Sequence, residues 1–77
     1  MPLKAREAAK MLREVGFEYS HTEGSHAFYR RGSYKIPIPH HGGSDLKPWE
    51  EASIRSAYRT ARAEIKARQE DDEEGLS

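Results

Sequence analysis

Gly24-Ser25-His26 sits between two runs that alternate like strands, and it holds the residue best suited to chemistry. Glycine has no Cβ, so it tolerates positive φ and can open a tight turn. His26 then stands at or near the first residue of the run Ala27-Phe28-Tyr29-Arg30, where a sheet rather than a loop tip carries the side chain. An unperturbed imidazole titrates near pH ~6.5 and can take or give a proton at neutral pH. The same position also suits a histidine that merely covers the sheet. The elements around it decide how much weight the chemical reading carries.

Those elements are few. The chain has 77 residues, of which 35% are hydrophobic and 34% charged. That describes one small domain with a thin core, which excludes a deep cofactor cavity and favours a site laid across an exposed face. Cysteine is absent, so disulfides and thiolate metal sites are excluded. No apolar run approaches the ~20 residues that span a bilayer, and the charged start lacks the apolar segment of a signal peptide. The expected location is the cytoplasm. Formal charge is zero, yet residues 1–60 carry ten Lys/Arg against seven Asp/Glu, and residues 61–77 carry three against six. The body is therefore mildly basic. The run Glu70-Asp71-Asp72-Glu73-Glu74 reads as part of a disordered acidic tail over residues 70–77, beyond a domain at 1–69.

Ala5, Ala8, Ala9, Leu12 and Val15 form one stripe at helical spacing, with Gly16 placed as a C-terminal cap. Phe17-Glu18-Tyr19-Ser20-His21 alternates with period two and predicts a strand with Phe17, Tyr19 and His21 on one face. A second strand covers about Ser25 to Arg30, with His26, Phe28 and Arg30 on one side and Ala27 and Tyr29 on the other. Arg31-Gly32-Ser33 closes a hairpin into Tyr34-Lys35-Ile36-Pro37-Ile38, where Tyr34, Ile36 and Ile38 are expected in the core. Pro37 cannot donate to a ladder and predicts an edge strand. Pro48 suits the first turn of a last helix whose apolar stripe is Ile54, Ala57, Tyr58, Ala61 and Ile65, ending near Gln69. Short turns make the sheet an antiparallel meander. The expected class is α+β: a two-layer αβββα domain, like the double-stranded RNA-binding fold, with both helices on one face of the sheet.

Four ordered pieces carry a family resemblance: Arg6-Glu7 through Gly16-Phe17, Gly24-Ser25-His26, Ile36-Pro37-Ile38-Pro39-His40-His41-Gly42, and Leu46-Lys47-Pro48. Together they resemble the HicA toxins, small mRNA interferases of bacterial toxin–antitoxin pairs. The resemblance implies the αβββα fold, ribonuclease activity and inhibition by a HicB-type antitoxin that covers the active surface. DNA would be met only through that antitoxin. The family's catalytic histidine falls on His26. Trp49 and Glu50 stand where the family commonly has glycine and threonine.

The residues present are compatible with that chemistry. RNA carries a 2′-hydroxyl that can attack its own phosphate once a base takes the proton, and this needs no metal. His26 is the candidate base, and Ser25, Arg30, Arg31, Lys35 and Lys47 are candidate RNA contacts. His21, His40, Tyr19, Lys35 and His26 itself all remain open as proton donor. Gly24, His40, His41 and Trp49 are supporting or interface candidates, with His40 and His41 expected to brace their loop by side-chain to backbone bonds. A zinc site built from His21, His26, His40 and Asp45 has no diagnostic spacing, and neither metal nor cofactor is expected. A catalytically inactive homologue, binding protein or duplex RNA through the same surface, is the competing reading.

Overall fold

A computed structural model describes residues 2–41 and 43–76, with side chains described as far as residue 70. The order is α1 (Ala5–Glu14), β1 (Glu18–Glu23), β2 (His26–Arg31), β3 (Tyr34–Pro39) and α2 (Pro48–Leu76). The sheet is antiparallel in the order β1-β2-β3, so Pro37 does lie on an edge strand. Gly42, part of the glycine-rich loop, lies outside the described residues.

Helix α1 buries Ala5, Ala8, Ala9 and Leu12, as its stripe requires, and Val15 is buried just beyond it. Its start has no conventional capping side chain. The Glu7 carboxylate instead reaches back to accept the Lys4 backbone N–H at 3.0 Å. The chain end is also tied down: Ala5 N–H donates to Ser44 O, Leu46 N–H donates to Leu3 O, and the Lys4 ammonium pairs with Asp45 at 2.6 Å. Helix α2 begins with Glu50 turned inward, its carboxylate accepting the Lys47 N–H at 2.8 Å. The helix continues past Gln69, where the sequence reading ends it, through the acidic run to Leu76. Its described residues beyond Ile65 are all exposed.

The core joins Leu12, Val15 and Phe17 to Tyr29, Ile38, Ile54 and Ala61, with Ala27, Ile36, Ala57, Tyr58 and Ile65 packed against it. Only one set of strand residues takes part, so both helices lie on that side of the sheet. One expectation fails at the rim, that of Tyr34 in the core. Tyr34 is half exposed because it adjoins the β2–β3 turn at the end of the sheet. Tyr19 is 57% exposed because the helix layer does not extend over the edge strand β1.

Each hairpin has a two-residue loop, shown by the pairs Glu23↔His26 and Arg31↔Tyr34. Gly24 and Gly32 occupy the first loop position with φ of +56° and +59°, the arrangement that matches the right-handed twist of the strands. An added Cβ at Gly24 meets nothing within 4 Å, so its requirement is conformational and not spatial. Gly24→Val is therefore expected to lower stability by about 1–2 kcal/mol in urea melts. Gly43→Ala, at a position with neither positive φ nor a neighbour in reach, should leave the midpoint unchanged or slightly raised.

Candidate active site

Alternation along β2 sends Ala27, Tyr29 and Arg31 to the helices and His26, Phe28 and Arg30 to the open face. The pairing adds Pro39 beside His26, Pro37 beside Phe28 and Lys35 beside Arg30. From β1 come Glu23 beside His26, His21 beside Phe28 and Glu18 beside Arg30. Nine side chains thus tile the open face in three rows, with Phe28 at the centre.

The β1 contribution departs from the sequence reading. Register slips between Tyr19 and His21, where two steps on β1 match one on β2. Ser20 is the extra residue of a β-bulge, and a bulge redirects every side chain beyond it. Tyr19 therefore stays on the helix side, its ring 5.9 Å from that of Tyr29, while His21 crosses to the open face. There the imidazole stacks on Phe28, with centroids 5.0 Å apart and planes 11° apart. Ser20 Oγ lies 3.0 Å from His21 Nδ1, and Glu23 Oε1 lies 3.1 Å from His21 Nε2. The ring is held at both nitrogens.

His26 is half-buried at the start of β2, and Ser25 Oγ lies 3.3 Å from its Nδ1. Its Nε2 has no hydrogen-bond partner among the described residues. The turn before it is fixed from a second direction, since the His40 N–H donates to Ser25 O at 2.6 Å. His40 and His41 are exposed beside this turn, their rings edge-on at 5.8 Å. Their loop is braced by backbone bonds, including Ser44 N–H to His41 O, and not by imidazole-to-backbone contacts among the described residues.

Lys35 Nζ lies over the Phe28 ring, 4.9 Å from its centroid. The like charge of Arg30 beside it in the ladder makes this direction favourable. Such an exposed contact contributes only ~0.5–1 kcal/mol. Arg30 Nε donates to Gly32 O at 3.2 Å. Arg31 is placed elsewhere: it faces the helices, donates to Glu64 at 2.6 Å and packs its stem beside Gly16. Lys47 and Trp49 belong to the start of α2, in the helix layer, where Trp49 is 64% exposed. A groove of about 230 Å³ between α1 and the sheet is lined by Arg6, Arg13, Tyr29 and His40, among others, but not by His26.

The structure thus unites Ser25, His26, Arg30 and Lys35 on one surface, sets His40 and His41 at its rim, and separates Arg31, Lys47 and Trp49 from it. The family model for the HicA toxin of bacterial toxin–antitoxin systems matches residues 5–62. The chain belongs to the HicA toxin family. It is accordingly the toxin of a toxin–antitoxin pair, a family that targets RNA. No curated protein and no solved structure matches the chain. The match includes α1, the sheet and the first half of α2, and therefore every candidate residue named above. Among the described residues, no helix is long and apolar enough to cross a membrane.

Two open-face residues that hold the His21 ring, Phe28 and Glu23, are absent from the candidates read from sequence. Phe28 was visible from alternation alone, because it shares its face with His26. Glu23 needed the hairpin register, which a two-residue Gly-Ser loop already implies. The Arg31 placement is tested by Arg31→Met, which keeps the apolar stem and removes the ion pair with Glu64. The expected loss is about 0.2–1 kcal/mol in chemical melts, with RNA cleavage rates unchanged; a rate loss matching that of an open-face variant would place Arg31 at the substrate.

Proposed function

We propose that this toxin is a metal-independent endoribonuclease that cleaves mRNA on the open face of its sheet, with His26 as general base. The observation that carries the reading is the unpartnered Nε2 of His26 on a face shared with Arg30 and Lys35. Ser25 and the His40 backbone hold the turn from which that imidazole projects. A preset orientation matters because proton transfer requires hydrogen-bond reach to the reacting hydroxyl.

In the reaction, His26 Nε2 accepts the proton of a ribose 2′-hydroxyl. The 2′-oxygen forms a bond to the adjacent phosphorus, and the bond from phosphorus to the 5′-oxygen breaks. The leaving oxygen takes a proton from an imidazolium on the same face, either His26 itself or His21. Products are a 2′,3′-cyclic phosphate and a free 5′-hydroxyl. Arg30 and Lys35 neutralise the phosphate, as cations at phosphate contacts commonly do. The Glu50 carboxylate is taken up in capping the start of α2, in the helix layer. A HicB-type antitoxin covering this face would block substrate entry.

The discriminating experiment induces wild type and His26→Ala at matched soluble levels, following growth and intact message. Wild type should arrest growth and degrade message, whereas His26→Ala should do neither. With purified protein, kcat should fall by ~10²–10⁴-fold in His26→Ala. Cleavage by wild type should persist in EDTA and vanish on RNA carrying 2′-deoxyribose at the cut site. Equal cleavage by both proteins would remove His26 from the chemistry. Duplex binding that survives in His26→Ala, with no cleavage by wild type, would favour a non-catalytic module.

A further inference from the structure

We infer that Phe28 is a stacking platform for one nucleobase of the RNA substrate, backed by His21 and vacated by Lys35 when RNA binds. The inference rests on the ribonuclease reading and adds a binding subsite to it. Phe28 is the central side chain of the open face, next to His26 and Arg30 on its own strand. Strands β1 and β3 flank β2 on opposite sides, so His21 and Lys35 reach the ring from opposite flanks.

The two flanks are unequal. On one, His21 lies nearly parallel to Phe28 and is held at both ring nitrogens by Ser20 and Glu23. That side is a fixed backing, put in place by the Ser20 bulge. On the other flank Pro37 is the ladder partner of Phe28, and a flexible ammonium with no ion pair among the described residues lies over the ring. Stacking of a base on an aromatic ring is stronger than an exposed cation over that ring. A base can therefore take the place of Lys35, and the released ammonium then meets the phosphate.

Spacing supports this. His26 and Phe28 stand two residues apart on one strand, roughly 7 Å, comparable to the step between phosphates in an extended single strand. A base on Phe28 would therefore belong to a nucleotide adjoining the scissile phosphate. The carboxylates Glu18 and Glu23 stand on the β1 flank, whereas Lys35 lies across from Arg30 on the β3 flank. A cation beside a flat aromatic face there suits an anionic ligand with aromatic faces over an apolar protein side chain. Stacking accepts any base, so the subsite strengthens single-strand binding with little sequence preference.

The test uses a 2′-O-methyl oligoribonucleotide carrying one 2-aminopurine, which cannot be cut and loses fluorescence when stacked. Wild type should bind and quench it. Phe28→Leu should bind roughly 5- to 150-fold more weakly, the range for loss of one base–aromatic stack, with quenching lost. Phe28→Tyr should restore both, which separates stacking from any packing defect of the leucine variant. His21→Ala should weaken quenching in the same direction. If wild type cleaves RNA while Phe28→Leu binds and quenches within about twofold of it, the platform is overturned and the ribonuclease reading stands. If wild type neither cleaves message nor binds the probe, both fall. If quenching depends on Phe28 but no RNA is cut, the platform stands without the catalytic reading.

Discussion

Two helices can cover only one face of a three-stranded sheet, and strand alternation then decides every residue's role. On β2 that constraint puts Tyr29 in the core and leaves His26, Phe28 and Arg30 on the face that no helix covers. The apolar half holds the sheet onto α1 and α2, while the other half is free of packing duties. In a short sequence with a thin core, a face of this kind is a rigid surface that the chain can offer. A site on it inherits the stiffness of the ladder without needing a cleft.

Local devices then adjust what the ladder presents. Gly24 closes the β1–β2 hairpin in two residues, which fixes Glu23 opposite His26. His40 ties the following loop back to Ser25, so the Gly-Ser-His turn is held from both sides. The bulge at Ser20 matters most. Without that extra residue in the count, a period-two reading keeps Tyr19 and His21 on one face; with it, Tyr19 meets Tyr29 and His21 meets Phe28. One inserted residue thereby supplies the open face with a second imidazole.

Most of the architecture was legible in the residues. The alanine-rich stripe of α1, the edge position of Pro37 and the inward stripe of α2 follow from spacing and from proline's missing donor, and the structure has all three. The bulge was not legible, because Ser20 fits an ordinary strand and the slip shows only once β1 pairs with β2. The exposure of Tyr34 and Tyr19 depends on how far the helix layer extends, which periodicity cannot report. At the site, His26, Ser25, Arg30 and Lys35 could be grouped by alternation. Arg31 could not be separated from them without knowing that the strand continues through it, which places it on the opposite face beside Glu64.

The central claim is that RNA lies on the open face of the sheet. The most direct measurement is an NMR titration of isotope-labelled toxin with a 2′-O-methyl oligoribonucleotide, following side-chain signals. The account predicts shifts at His26, Phe28, Arg30 and Lys35, with Arg31, Tyr58 and the Trp49 indole left unmoved. Shifts confined to α1 and the start of α2, with the His26 and Phe28 signals unchanged, would contradict it.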